Sequence, residues 1–309
     1  MLKVIDHLED FEPPSFSVVT IGTFDGVHIG HQTILKKIVH DAKKHNGKSI
    51  LITFWPHPRF VLGKDESTLK LLSTFDEKIK LVEEIGVDYI LKVAFTPEFS
   101  NLSAREFVEN ILVEKVATRK LYIGYDHHFG NNREGNIDFL REVADTYGFD
   151  VNEIPRQDID DIGVSSTKIR NALSEGKVEY ANALLGRNYQ LRGTVVHGNK
   201  TGRSIGFPTA NIQLNESYKL LPADGAYAAY VTVERQQVKA MLNIGFKPTV
   251  DGTGRTIEAH LFNFAADIYG KTVEVSFVKS LRKEMKFDSL DQLKGQLALD
   301  REEALKILG

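Results

Sequence analysis

The sequence predicts an α/β protein in two parts, a doubly wound parallel sheet followed by an antiparallel β-barrel with a terminal helix. Three observations carry this. Residues 17–154 alternate strand-like and helix-like patterns, as a parallel sheet with crossover helices requires. After about residue 185, short strand patterns follow one another with turns and no crossover helix. The 309 residues suit two domains better than one. The boundary is expected near Leu185-Gly186-Arg187-Asn188, which gives domains 1–184 and 185–309.

In the first part, Ser17 to Ile21 reads as a strand, and Thr33 to Lys44 as a helix with Ile34, Leu35, Ile38 and Val39 on one side. Ser49 to Phe54 is almost continuously apolar, like a buried parallel strand, and stops at Trp55-Pro56-His57-Pro58. A helix over Phe75 to Ile85 is closed by Gly86. Tyr89 to Ala94 is a strand. A helix from Ala104 to Val116 is opened by Ser103, with Glu106 at capping-box spacing. Lys120 to Ile123 is a strand ending at Gly124, Gly135 to Tyr147 a helix, and Phe149 to Ile154 a strand. Ligands of such sheets bind beyond the carboxyl ends of the strands, where Gly22–His31, Trp55–Pro58 and Gly124–Gly130 fall. In the second part, Gln190–His197, Ala226–Glu234, Val238–Ile244, Thr256–Phe262 and Thr272–Val278 read as strands. Ser289 to Leu308 reads as a helix with Leu290, Leu293, Leu297 and Leu305 as its apolar stripe.

Composition narrows the function. The net charge of −3 gives no electrostatic case for nucleic-acid or membrane binding. The absence of cysteine excludes disulfides, cysteine–zinc sites and thiol catalysis, and fits a reducing cytoplasm. Asp6, Glu9, Asp10 and Glu12 interrupt any secretory pattern at the start. No apolar run approaches the roughly 20 residues that span a bilayer. A soluble cytoplasmic protein is expected.

The most informative segment is Gly22-Thr23-Phe24-Asp25-Gly26-Val27-His28-Ile29-Gly30-His31. Two histidines three apart at a helix start share a face, where backbone N–H groups and the helix dipole favour an anion. Gly22 and Gly26 permit a tight turn close to a ligand. A structural helix start, half of a metal site, or chance would give the same letters; the glycine frame after a strand favours the anion site. The metal reading lacks a carboxylate at a matching spacing. Asp25 is expected to assist Mg²⁺ or hold a loop.

Two further segments bear on phosphate chemistry. Val164-Ser165-Ser166-Thr167-Lys168-Ile169-Arg170 reads both as a Ser/Thr helix cap and as hydroxyls and cations around phosphate oxygens. Gly124-Tyr125-Asp126-His127-His128-Phe129-Gly130 suits a strand-end loop around an adenosine, although His127 and His128 read equally as loop surface.

In the second part, Gly193 to Asn211 invites a P-loop reading that fails: Gly198 and Gly202 are one residue too close, and Arg203 stands where the lysine belongs. Four glycines with Lys200 and Arg203 still suit a phosphate-holding loop of another fold. Thr209 and Asn211 offer a hydroxyl and an amide oxygen, hard ligands for Mg²⁺, in what could also be an ordinary Gly/Pro/Asn turn.

The Gly-x-Phe-Asp-Gly-x-His-x-Gly-His, Pro-His-Pro and Ser-Ser-Thr-x-Ile-Arg segments, in that order, resemble the FMN adenylyltransferase module of bacterial bifunctional riboflavin kinase/FAD synthetases, within the Rossmann-like HxGH nucleotidyltransferases. Pro208-Thr209-Ala210-Asn211, Asn243-Ile244-Gly245, Pro248-Thr249, Thr256-Ile257-Glu258-Ala259-His260, Asp267-Ile268-Tyr269-Gly270 and Leu281-Arg282-x-Glu284 resemble the riboflavin kinase module of the same family. The resemblance implies that riboflavin plus ATP gives FMN plus ADP, and FMN plus ATP gives FAD plus pyrophosphate.

By the same resemblance, His28 and His31 grip ATP phosphates, with Gly22, Phe24 and Asp25 in their loop. Ser165, Ser166, Thr167 and Arg170 close from the other side, Asp126 (where many members carry Asn) faces the nucleotide, and Pro56 and Pro58 border the flavin. In the kinase module Thr209 and Asn211 hold Mg²⁺, and Glu258 is the general base. Gly198, Lys200, Gly202 and Arg203 hold phosphate, and Arg282 lies near the flavin or the nucleotide. Asn263 replaces a frequent Asp. The implied partners are riboflavin, FMN and ATP, not nucleic acid or membrane; weak self-association is possible, and the sequence leaves the oligomeric state open.

A single-activity transferase and a flavin-binding regulator compete with this reading. Both motif sets are complete, which disfavours each. A tRNA synthetase reading of the histidine motif suffers from a short, non-basic chain.

Overall fold

The computed structural model describes residues 1–63, 69–124, 128–154, 163–198, 201–249 and 252–309, with backbone only at 201, 247–249, 252 and 253. It divides into two compact units, Met1–Ser166 and Thr167–Gly309.

The first unit is built on a six-stranded sheet in the order β1-β4-β3-β2-β5-β6. Its strands are β1 Lys3–Ile5, β2 Ser17–Ile21, β3 Lys48–Trp55, β4 Tyr89–Ala94, β5 Thr118–Gly124 and β6 Asp150–Ile154. Every pairing is parallel. From β2 the chain winds first towards β3 and β4, then returns to add β5 and β6, so the order reverses between β2 and β5. That reversal opens a crevice at the carboxyl ends of β2 and β5. Both faces of the sheet are covered. Ile50, Ile52, Leu91, Val93, Leu121 and Ile123 pack into one core, while Val18, Leu51 and Ile90 pack into the other. The continuous apolar run in β3 is therefore a period-2 strand buried on both sides.

The edge strand β1 was not expected from the sequence, because three residues give no period. The first crossover helix spans Ile29–Lys44 and begins four residues before the expected Thr33. His28 is its N-cap: the Nδ1 atom accepts the His31 backbone N–H at 3.3 Å, which draws Ile29-Gly30-His31 into the first turn. Helix Phe75–Ile85 has the reciprocal Thr74/Glu77 capping box and ends at Gly86 in the left-handed region. The Ser103/Glu106 box also forms, but the expected single helix becomes an α-helix, Ala104–Phe107, and then a π-helix, Val108–Lys115. Helix Ile137–Tyr147 starts two residues after the expected Gly135, where the Asn136 side chain caps the Phe139 N–H at 2.9 Å.

The second unit contains a closed antiparallel barrel in the order β10-β11-β8-β7-β12-β9. Its strands are β7 Tyr189–Val196, β8 Ala210–Leu214, β9 Gly225–Val233, β10 Gln236–Thr249, β11 Gly252–Leu261 and β12 Thr272–Lys283. The sequence does not predict β8: its Ala210-Asn211 start, after Pro208-Thr209, reads as a turn, and pairing to β7 and β11 overrides that. Nor does it predict helix Val178–Leu185, which Asn182 pins to the barrel by donating to the Phe277 carbonyl (2.9 Å) and accepting the Tyr189 N–H (2.7 Å). Two register shifts in β12 carry it past Val278, where the sequence pattern ends. The terminal helix spans Leu290–Leu308, and Ala304 and Leu308 pack on Ala228, Met241 and Phe262. Leu297 and Leu305 join this cluster, whereas Leu290, expected in the stripe, is 60 % exposed in the helix's first turn.

Candidate functional sites

In the first unit the loop after β2 is the centre of interest. Gly22 starts it: a Cβ there would lie 2.9 Å from the Phe24 ring. Phe24, Gly26 and Val27 then take positive φ values of 47°, 82° and 39°. Phe and β-branched Val are rarely found there, so surrounding contacts must hold the loop. The Asp25 carboxylate, 2 % exposed, accepts the Leu72 N–H (3.0 Å) and the Ser73 N–H (3.2 Å). Gly26 N–H donates to Ser73 Oγ, and the Ser166 hydroxyl donates to the Asp25 carbonyl at 2.9 Å. Of the two roles expected for Asp25, loop-holding is the one these bonds express.

The loop delivers His28 and His31 as a stacked pair, with ring centroids 3.6 Å apart and planes 17° apart. Phe24 leans on His31 at 4.7 Å. The shared face expected from the spacing is present, with one modification: His28 precedes the helix, and its ring takes up one of the first-turn N–H groups. The pair sits where the positive end of the Ile29–Lys44 helix meets the carboxyl edge of the sheet.

Pro56 and Pro58 lie at the carboxyl end of β3, on the same sheet edge as the 22–31 loop. His57 between them caps helix Pro58–Leu62 by accepting the Arg59 N–H at 3.2 Å. Ser165 is exposed, and Ser166 opens helix Ser166–Ser174, with Thr167 and Arg170 in its first turn and a half. Asp126 and His127 lie outside the described residues; His128 is exposed.

In the second unit a cavity of about 230 Å³ opens in the barrel. Strand register places a row of residues along its wall. Glu258 on β11 faces Asn211 on β8 and Asn243 on β10; Asn243 faces Ala226 on β9; Ala226 faces Arg282 on β12. Residues directly opposite share a face, and all five line the cavity together with Thr209. Thus Thr209, Asn211, Glu258 and Arg282, four of the expected site residues, meet in one place. Gly198 approaches closely: a Cβ there would lie 2.1 Å from the Asn211 amide. Gly202 also lines the cavity, in the one-turn helix Thr201–Ser204, which breaks the expected strand-to-strand path. Arg203 borders a neighbouring depression with Thr209 and Tyr269. Lys200 lies outside the described residues.

Several lining residues were not singled out from the sequence. Asn243 emerges only from register. Asp300, 3 % exposed on the terminal helix, receives Arg282 Nε (3.0 Å) and Nη2 (2.8 Å) and the Gln296 amide (2.8 Å), so the guanidinium is oriented before any ligand arrives. His260 Nδ1 donates to the Pro208 carbonyl at 2.7 Å, the carbonyl being able only to accept, and this ties β11 to the Pro208–Asn211 segment. Burial lowers the His260 pKa below its ordinary value, although the Pro208 bond opposes this. Met241, Leu293 and Leu297 give the cavity an apolar wall.

Family models were matched by both parts of the chain: FAD synthetase over residues 11–168 and riboflavin kinase over residues 185–308. Among curated proteins, the bifunctional riboflavin kinase/FMN adenylyltransferase of Buchnera aphidicola (subsp. Schizaphis graminum) is 41% identical, covering 93% of each chain. The Escherichia coli K12 protein of that name is 36% identical, covering 96% of this chain and 94% of its own. The Listeria monocytogenes one is 38% identical, covering 93% and 90%. A crystal structure described as a macrolide-efflux protein from Streptococcus pneumoniae superposes with a TM-score of 0.89 at 34% identity, covering 97% of both chains. Among the described residues of the present chain, no helix is long and apolar enough to cross a membrane.

Proposed function

The chain belongs to the family of bifunctional riboflavin kinases/FMN adenylyltransferases, and from that premise we propose that its two sites divide the family's two reactions between them. It phosphorylates riboflavin to FMN and adenylylates FMN to FAD. In our assignment residues 1–184 adenylylate and residues 185–309 phosphorylate. The observation that supports this most strongly is the Asn211–Glu258–Asn243 row inside the barrel, a carboxylate flanked by amides beside the Thr209 hydroxyl.

In the kinase reaction the riboflavin 5′-hydroxyl is a poor nucleophile. Glu258 takes its proton as the oxygen attacks the γ-phosphorus of ATP and ADP leaves. Thr209 and Asn211 fit Mg²⁺ and would hold it: they are hard oxygen donors in the same cavity as Glu258. When bound, Mg²⁺ supplies charge neutralisation at the transferring phosphate. Gly198, Lys200, Gly202 and Arg203 form the phosphate side, and Arg282, aimed by Asp300, borders the flavin.

In the adenylyl transfer the FMN phosphate is already an anion. One of its oxygens attacks the α-phosphorus of ATP in line, and pyrophosphate leaves, so no protein nucleophile is required. His28, His31 and the first-turn N–H groups stabilise charge on the phosphate oxygens. Gly22, Phe24 and Asp25 fix the loop, Ser165, Ser166, Thr167 and Arg170 add phosphate donors, Pro56 and Pro58 border the flavin, and Asp126, outside the described residues, is assigned to the nucleoside by the family resemblance alone. This is the chemistry of a cytoplasmic enzyme acting on small molecules.

Crossed variants test the division. A His28→Ala, His31→Ala protein should stop at FMN, and Glu258→Ala should make no FMN yet convert supplied FMN to FAD. A folded variant that lost both activities would refute separate sites.

A further inference from the structure

Lys78 is a lysine where lysines are rarely found. It lies on helix Phe75–Ile85 and is 4 % exposed. A buried ammonium is costly unless it is paired. Its Nζ lies 3.4 Å from the Thr53 hydroxyl at the end of β3, and it is attracted by the buried Asp25 carboxylate. Thr53, fully buried, donates in turn to the Thr23 carbonyl at 3.4 Å. Thr23 and Asp25 flank Phe24, the first of the left-handed residues in the loop that ends in His28. The buried cation thus bears on the strained loop in two ways, through the Thr53 hydroxyl to Thr23 and through its charge to Asp25. Nothing in the two reactions uses it directly.

We propose that Lys78 is a positioning residue for adenylyl transfer: its buried ammonium, acting through Asp25 and Thr53, holds the 22–28 loop in the conformation that sets His28 and His31. The proposal rests on the assignment of the adenylyl site to that histidine pair. Opposite charges buried together compensate one another, whereas either alone is expelled or neutralised. Removing the ammonium leaves the Asp25 carboxylate buried without that cation, and the loop then relies more heavily on its neutral hydrogen bonds, such as those from the Leu72 and Ser73 N–H groups. A displacement of about 1 Å at the histidines costs roughly 100-fold in rate.

Burial lowers the Lys78 pKa to about 8, although the Asp25 charge opposes this. Among the described residues, Lys92 on β4 shares the Phe75 ring with Lys78, at 4.9 Å and 5.4 Å, and pairs with Asp6, while Glu77 on the same helix is held in its capping box. The ammonium form is the one that compensates Asp25, so positioning weakens as pH rises through about 8.

The test uses full-length protein and follows FMN adenylylation, with riboflavin phosphorylation as the internal control. Lys78→Met should lower kcat for FAD formation about 100-fold with the KM for ATP within about threefold, and leave phosphorylation unchanged. The wild-type adenylylation rate should fall above pH 8, and the residual rate of Lys78→Met should lack that limb. Wild-type adenylylation by Lys78→Met, or an unaltered alkaline limb in that variant, overturns the proposal. Should Lys78→Met fail to fold, Thr53→Val decides: a kcat loss of about tenfold supports the proposal, and a wild-type rate refutes it. The His28→Ala, His31→Ala protein runs alongside. If it still makes FAD, the site assignment itself is wrong; if it does not while Lys78→Met is normal, only the role of Lys78 fails.

Discussion

Gly198→Ala separates stability from function at the kinase site. The missing Cβ of Gly198 is what lets the Asn211 side chain lie where it does. An ideal Cβ there would stand 2.1 Å from the amide nitrogen, 2.5 Å from its carbon and 2.8 Å from its oxygen. Ordinary van der Waals contact begins near 3.4 Å, so the amide has to recede by more than about 1 Å. The obstructing atoms are the end of a side chain, not backbone, so Asn211 can swing away and the barrel survives. The stability cost is therefore modest, about 1 kcal/mol or less. The functional cost is larger, because Asn211 faces Glu258 across β8 and β11 and is the proposed Mg²⁺ ligand. A shift of that size corresponds to about 100-fold in kcat, near 2.7 kcal/mol of transition-state stabilisation. The assay is a coupled measurement of ADP release with riboflavin and ATP, set beside pyrophosphate release with supplied FMN. The expected result is a folded protein with phosphorylation reduced about 100-fold and adenylylation unchanged. Full phosphorylation activity in Gly198→Ala would refute the placement of Asn211 at the reacting phosphate.

Two further outcomes follow from ion pairs. Arg282→Ala leaves Asp300 buried without its cation, keeping the Gln296 amide among the described residues, and should cost about 3–5 kcal/mol, seen as a lower denaturation midpoint at unchanged slope. The Arg282→Met, Asp300→Leu double variant should recover most of that stability but not riboflavin binding. Asp88 ties the start of β3 to the approach to β4: burial raises its pKa, but the Ser49 N–H and hydroxyl and the Lys48 ammonium outweigh this and lower it overall. A depressed carboxylate stabilises fully above its unfolded pKa, about 3.9, and loses that contribution as pH falls through the folded value. Asp88→Asn should therefore cost about 1–2 kcal/mol at pH 7, and the gap to wild type should close below about pH 4.

The sequence made the sheet legible because its strands carry strong period and its helices clear ends: Ser103 with Glu106, and Gly86, act as their spacing predicts. The early start of the first helix was hidden, since His28 is an uncommon cap and becomes one only once the loop has turned. Strand β8 was hidden by its own chemistry. Thr209 and Asn211 read as turn or ligand residues, and the pairing that puts Asn211 in a strand just after Thr209 comes from β7 and β11. The His28/His31 site is local, so its residues could be read from ten consecutive positions. The barrel site is assembled by register across five strands, so Asn243 and Asp300 have no local signal. Their partners, Glu258 and Arg282, lie 15 and 18 positions away along the chain. Lys78 is the extreme case. A lysine in an amphipathic helix reads as surface, and only the tertiary fold buries it.

The most direct test of two reactions on one chain follows the label from ATP into flavin. The protein is incubated with riboflavin, Mg²⁺ and ATP labelled in either the γ- or the α-phosphate, and the flavins are separated by chromatography. The account predicts that γ-label appears first in FMN and then in FAD, while α-label enters FAD alone. A protein that put neither label into flavin, or that labelled FMN from the γ-position but never FAD from the α-position, would contradict it.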